Sequence, residues 1–149
     1  MTLPWLLPPV ILLIALAAML GLHFAFPGPR WDTPLLQLIG GVIAIAGLLL
    51  TVSSAGLFRH RGTAVRPFQD SSVLVTTGPY RFTRNAMYLG MVLMLVGIGV
   101  LLGSTTPLAV VPLFVAVITR RYIAVEERIM SARFGAEYDA YRARVRRWL

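Results

Sequence analysis

The sequence predicts an all-α membrane protein of about four transmembrane helices. A helical hairpin occupies its C-terminal half, and an interfacial helix lies in its cytoplasmic tail. Three observations carry this. Hydrophobic residues make up 57% of the 149 and charged residues 13%, where a soluble domain carries about 25% charged. The mean hydropathy is +0.75. The apolar residues fall into four runs, separated by turn-forming or arginine-rich segments. We expect a single domain over residues 1–149.

The first run, Leu6 to Phe26, is interrupted only by His23 and is long enough to span, since about 20 residues at 1.5 Å each cover the hydrocarbon core. Pro4, Pro8 and Pro9 mark its start. With no basic region before it and no small-residue cleavage site, it reads as an uncleaved span. Pro27 to Pro34 is a loop, because its prolines and glycine cannot continue a helix. The second run, Leu35 to Phe58, carries Gly40, Gly41, Gly47, Ser53, Ser54 and Gly56. Small residues let helix backbones approach closely in lipid, so packing is their expected role.

The third run, Met87 to Leu102, is short for a full span. It passes through Gly103-Ser104-Thr105-Thr106-Pro107 into the fourth, Leu108 to Ile123, and so short a loop makes the pair an antiparallel hairpin. Gly99 and Gly103, four apart, suit close contact within it. Beyond lies a tail, 124–149, divided at Phe134-Gly135 where glycine can end a helix. After that glycine, Tyr138, Tyr141, Val145 and Trp148 fall on one helical face beside Arg142, Arg144, Arg146 and Arg147. That pattern fits a short helix anchored at the membrane interface.

Arginine distribution sets the orientation. All fourteen basic residues are arginine, against six acids, for a net charge of +8. Five arginines lie between Arg59 and Arg84 and eight from Arg120 onward, whereas the Pro27–Pro34 loop has only Arg30, balanced by Asp32. The positive-inside rule places the rich segments and both termini in the cytoplasm. The expected location is a multi-pass position in a bacterial inner membrane. The arginines therefore speak for topology and anionic headgroups, with no nucleic acid as partner.

Several chemistries are excluded. No cysteine is present, and His23 and His60 stand far apart, so no metal site is expected. There is no phosphate-binding glycine loop followed by Lys and Ser/Thr. Gly97-Ile98-Gly99 lies inside an apolar run, and Ser53 and Ser54 have no histidine–carboxylate partners in the sequence around them.

Two polar clusters remain. The segment Gly78-Pro79-Tyr80-Arg81-Phe82-Thr83-Arg84-Asn85-Ala86-Met87-Tyr88-Leu89-Gly90 stands at the doorstep of the third run, after a strong turn signal at Thr76-Thr77-Gly78-Pro79. If helical, Arg84 and Tyr88 share a face, and Arg81 joins them if the helix starts early. The second cluster, Glu126-Glu127, follows the fourth run. Adjacent glutamates point about 100° apart on a helix, so one can face the core and the other solvent. An inward carboxylate favours a cationic ligand or the hydroxyls of a ribose. The competing readings are an arginine-rich membrane boundary and a salt-bridged helix end.

Taken in order, Leu74-Val75-Thr76-Thr77-Gly78-Pro79-Tyr80-Arg81, Arg84-Asn85-Ala86-Met87-Tyr88-Leu89-Gly90, Glu126-Glu127 and Phe134-Gly135-x-x-Tyr138-x-x-Tyr141 resemble the isoprenylcysteine carboxyl methyltransferases and the related phospholipid methyltransferases. The resemblance runs from about Val65 to the end of the chain. It departs at Ala86, where the family usually has proline. Proline would restrict Asn85 to an extended conformation, and alanine permits helix to continue through it.

The resemblance implies an integral membrane methyltransferase using S-adenosyl-L-methionine, with a pocket between the hairpin and the C-terminal segment. On this chain Tyr80, Arg84, Asn85, Tyr88, Gly90, Glu126 and Glu127 would bind the cofactor. Arg81, Arg84 and Glu127 would serve catalysis, and Tyr138 and Tyr141 would be lid or adenine contacts. The implied partners are membrane lipids and a lipid-like or small acceptor bearing a carboxylate, amine or thiol. Arg81 or Arg84 would orient a carboxylate. An amine needs deprotonation, for which Glu126, Glu127 or Tyr80 is available. The alternative is a non-catalytic adaptor binding anionic lipid through its arginine-rich face. A transporter ranks below both, since the spans hold almost no internal ionisable residue besides His23.

Overall fold

The computed structural model describes residues 7–60 and 73–149. Leu6 and Pro4 of the first expected span, and Arg61, Val65, Arg66 and Asp70 of the loop before Gly78, lie outside the described residues. Six α-helices appear among the described residues: α1 (Pro8–Ala25), α2 (Pro34–His60), α3 (Ala86–Leu102), α4 (Val110–Ile118), α5 (Ala124–Phe134) and α6 (Ala136–Arg144). A 3₁₀ turn over Thr106–Ala109 enters α4, and a π-helical turn over Thr119–Ile123 joins α4 to α5, so helix runs without a break from Thr106 to Phe134.

Three helices are long and apolar enough to cross a bilayer: Pro8–Ala25, Pro34–His60 and Thr106–Phe134. The fourth apolar helix, α3, has 17 residues. At 1.5 Å each it measures about 25 Å, just short of the hydrocarbon thickness, as its sequence predicts. Gly103 closes α3 in the left-handed region, at φ 69°, which glycine enters without steric cost. The chain then turns back as the expected hairpin.

Packing is organised around α3. On one side its Tyr88, Met91 and Leu95 meet Leu12 and Met19 of α1 and Phe114 and Ile118 of α4 in the main core. On the other side lies α2. Gly40, Gly47 and Ser54 recur every seven residues and are its buried positions, opposite Gly90 and Gly97 of α3, themselves seven apart. A Cβ at Gly47 would lie 2.6 Å from the Gly90 carbonyl oxygen, and one at Gly97 would lie 2.6 Å from that of Gly40. No side chain fits there, so the two backbones touch, and dispersion between them supplies attraction that lipid cannot. Gly41 and Gly56, grouped with the packing glycines by sequence, have open space where a Cβ would stand. Gly99 does pack within the hairpin, against Leu108.

The end of the bundle remote from Glu126 is stitched shut by the loop after α1. Trp31 N–H donates to the Gly103 carbonyl at 3.0 Å, Thr105 N–H to that of Pro29 at 3.1 Å, and the Trp31 indole to that of Val100 at 3.1 Å. His23 Nδ1 lies 2.8 Å from the hydroxyl of Ser104, which is fully buried. That stitching fixes the hairpin tip and leaves the opposite end to carry the polar clusters.

The C-terminal segment differs from its sequence reading. It forms a helix only to Arg144, and Val145 is extended at φ −121°, ψ 128°. Tyr138, Tyr141 and Val145 bury themselves against Leu74, Met130 and Phe134 of the same chain, and Trp148 packs against the main core. The aromatic face thus packs on the same chain, and its last two members, Val145 and Trp148, lie beyond the helix. Gly135, at φ 49° and ψ −123°, divides α5 from α6 in a conformation that β-carbon sterics deny to other residues.

Candidate functional site

The first polar cluster is shaped by three short devices. Gly78, at φ 61°, opens a 3₁₀ turn over Gly78–Arg81, in which Pro79 presets the backbone. Asn85 is then not helical: it sits at φ −125°, ψ 46°, and α3 begins at Ala86. The freedom that alanine offers at position 86 is therefore not used. Thr83 Oγ1 holds the Asn85 N–H at 3.2 Å, and the Asn85 amide is committed to the C-terminal segment. Because the helix starts late, Arg81 does not join Arg84. It ends the turn and is exposed to solvent.

The second cluster is positioned by the π turn. Val110, Phe114 and Ile118 are the buried positions of α4, four apart. In a straight α-helix each four-residue step drifts by about 40°. The wider π turn takes up part of that drift, burying both Tyr122 and Ile123 and carrying Glu126 round to α3.

The two clusters meet. Tyr88 donates its hydroxyl hydrogen to Glu126 Oε1 at 2.8 Å, and Arg84 Nη2 donates to Glu127 Oε1 at 2.9 Å. The glutamates do not divide between core and solvent: the Glu127 side chain is 12% exposed, against 11% for Arg84. Glu127 also receives Arg147, whose Nε reaches Oε1 at 3.0 Å and whose Nη2 reaches Oε2 at 2.6 Å, a bidentate grip. The segment carrying Arg147 is tied down through its carbonyls. That of Arg146 accepts from Arg84 N–H at 3.0 Å, and that of Arg147 from Asn85 Nδ2 at 2.8 Å and Thr83 Oγ1 at 3.2 Å.

Tyr80 lies beneath this cluster, 5% exposed, with its ring edge-on to Phe58 at 5.3 Å. Burial first, and then the charge of Glu126, raises its phenol above the ordinary value, so Tyr80 stays protonated and acts as a donor, not a base. Tyr141 donates to the Tyr80 carbonyl at 2.6 Å, and burial pushes its own phenol up to about 12. Tyr138 and Tyr141 thus brace the segment from beneath. Gly90 is not brought to the glutamates. Two residues on from Tyr88, it faces the other way, and its Cβ position is filled by Gly47 and Thr51 of α2.

Sequence reasoning missed Arg147 and Thr83. One of eight arginines in the tail carries no mark of its partner, and Thr83 acts through a hydroxyl that any exposed turn threonine has. Among the described residues no three His, Asp or Glu side chains come together as metal ligands. Among the described residues, Arg84 Nε is a buried donor of this cluster without a partner. An unmet donor at a closed polar cluster leaves capacity for a ligand.

Residues 36–137 match the model of the phospholipid methyltransferase family, covering both polar clusters and the α2–α3 seam. The chain belongs to the phospholipid methyltransferase family. Within that family it is an integral membrane protein, and its fold is similar to a solved eukaryotic one. The structure of the intramembrane Ras methyltransferase ICMT, isoprenylcysteine carboxyl methyltransferase, superposes with a TM-score of 0.69 over 92% of this chain and 50% of that one, at 24% identity. The cobalt-zinc-cadmium resistance protein CzcN of Cupriavidus metallidurans is 30% identical over 131 residues, which is 87% of this chain and 56% of CzcN. An uncharacterized protein of Haemophilus influenzae is 40% identical over 63 residues, all of its own length and 42% of this chain. The chain spans about half the length of CzcN and of the solved methyltransferase.

For this phospholipid methyltransferase family member, one substitution tests the contact between the clusters. Tyr88→Phe removes a single hydroxyl and strands Glu126 Oε1 without its donor, which costs about 1–3 kcal/mol when the acceptor is buried. The fall in unfolding midpoint should be a few degrees in detergent, followed by the fluorescence of the three tryptophans. An unchanged midpoint would mean that Glu126 takes its partner elsewhere.

Proposed function

We propose that this protein transfers a methyl group from S-adenosyl-L-methionine to a lipid-like or small acceptor at the arginine-rich end of its bundle. The observation that carries the reading is the convergence of Arg84, Asn85 and Tyr88 with Glu126 and Glu127, in a chain of this family. The residues present fit such a donor. Glu126 accepts from the Tyr88 hydroxyl at Oε1, and two carboxylates suit a cationic amino group or ribose hydroxyls. Arg84 Nε is a buried donor without an acceptor.

The cofactor supplies a methyl group already activated on a sulfonium. What the chain must add is alignment and a dry site. Arg84, held by Glu127, places its free Nε–H where it can orient an anionic group. Tyr80 and Tyr88, both buried, help exclude water from the site. A carboxylate or thiolate acceptor then needs no base, while an amine has Glu126 as proton acceptor. The site is expected to open to the cytoplasm of a bacterial inner membrane, with both termini on that side, so that an acceptor in the bilayer reaches it sideways.

The other reading is an adaptor that holds anionic lipid without catalysis. Exposed Arg142, Arg144 and Arg146 favour it. Membranes containing the protein, incubated with methyl-labelled S-adenosylmethionine, separate the two. Methyl transfer predicts label in lipid, protein or a volatile product, reduced at least about tenfold in Arg84→Ala. No label in any fraction, together with salt-sensitive liposome binding, would favour the adaptor.

A further inference from the structure

We propose that the segment Val145–Leu149 is a lid over the site and that Arg147 is its latch, gripping Glu127 until the cofactor takes its place. This rests on the reading of Glu127 as a cofactor contact. Glu127 Oε1 accepts from both Arg84 and Arg147, and Oε2 accepts from Arg147. With those positions filled, an ammonium or ribose hydroxyl gains Glu127 only when one guanidinium withdraws.

The two arginines are unequal candidates. Arg84 is 11% exposed and stands at the entry to α3, between a 3₁₀ turn and a helix end fixed by Thr83. Arg147 is 44% exposed and stands on non-helical backbone beyond α6. Its guanidinium can return to water at little cost, whereas that of Arg84 would lose its counter-ion while buried. Beside it, Trp148 packs against the core that holds Tyr88 and Tyr122, so the same short segment rests on that core and clamps Glu127. Opening it exchanges one cation on Glu127 for another and leaves the charge of the cluster nearly unchanged. Arg147 is thus a gating residue that acts through Glu127.

The chain has no cysteine, so Leu149→Cys, at an exposed position, takes a single nitroxide label. Its mobility is read in ligand-free protein with and without Arg147→Met, and S-adenosylhomocysteine binding is followed in the same proteins by calorimetry and stopped flow. The Arg146 and Arg147 carbonyls still accept from Arg84 N–H, Asn85 Nδ2 and Thr83 Oγ1 in Arg147→Met, so the expected result is a label more mobile than in the wild type but still partly held, with association of S-adenosylhomocysteine faster and affinity tighter by roughly tenfold. Arg147→Lys, which keeps a point charge without the fork, falls between. An unchanged label, or weaker binding in Arg147→Met, overturns the latch, the second outcome making Arg147 a direct ligand contact. If the wild type binds no S-adenosylhomocysteine, the cofactor reading fails, and the mobility measurement alone decides whether Arg147 holds the segment.

Discussion

Glu127→Ala is expected to abolish methyl transfer, by at least about 100-fold, and to lower the unfolding midpoint at the same time. Both effects come from one carboxylate. Among the described residues it is the counter-ion of Arg84, whose side chain is 11% exposed, and it takes the bidentate grip of Arg147. Removing one partner of a buried pair costs about 3–5 kcal/mol, because the remaining charge is stranded. The exposed Arg147 arm adds little to that, since water replaces its partner. Glu127→Gln keeps the shape and one acceptor oxygen, so it should recover part of the stability and little of the activity. The check is methyl-label transfer normalised to folded protein, beside a detergent melting curve. A variant that melts early yet transfers methyl normally would make Glu127 a staple of the fold and remove it from the site.

The sequence carried the architecture well, for reasons visible in particular residues. Composition and span length are one-dimensional properties, so four apolar runs became α1, α2, α3 and the helix from Thr106 to Phe134, with edges shifted by a few residues except that the last helix continues well past Ile123. Turn chemistry was equally legible at Gly78, Gly103 and Gly135, each of which adopts positive φ. Ordered motifs also placed Arg84, Asn85 and Tyr88 near Glu126 and Glu127. What could not be read was direction. Gly90 sits in the same motif as Tyr88 but two residues along a helix, which turns it to α2. Arg81 depended on where α3 begins, and that is decided by Thr83 and by carbonyls more than 60 positions away. Arg147 was hidden for the same reason: its pairing is set by how the chain folds back after Arg144, and one arginine in a basic tail looks like another.

The seam between α2 and α3 makes the second large prediction, Gly97→Val. A Cβ at Gly97 would fall against the Ala44 backbone nitrogen and 2.6 Å from the Gly40 carbonyl oxygen. These are backbone atoms of a helix, which cannot rotate aside as a side-chain tip can. Overpacking of a yielding core costs about 1–3 kcal/mol, and this site lies at or beyond the upper end. At 2–4 °C per kcal/mol for a chain of this size, the midpoint should fall by about 10 °C, or folded protein should not be recovered. Gly41→Val is the matched control, because nothing stands within 4 Å of its Cβ position. The same strain reaches the site. Thr51 bonds the carbonyls of Gly47 and Met87, so separating α2 from α3 pulls on the first turn of α3, where Tyr88 holds Glu126. Gly97→Val should therefore lose activity beyond its loss of folded protein, although residue 97 lies about two and a half helical turns from Tyr88. Equal, mild effects of the two valines would show that the helices can move apart without cost, and that the seven-residue repeat of small side chains does not set their spacing.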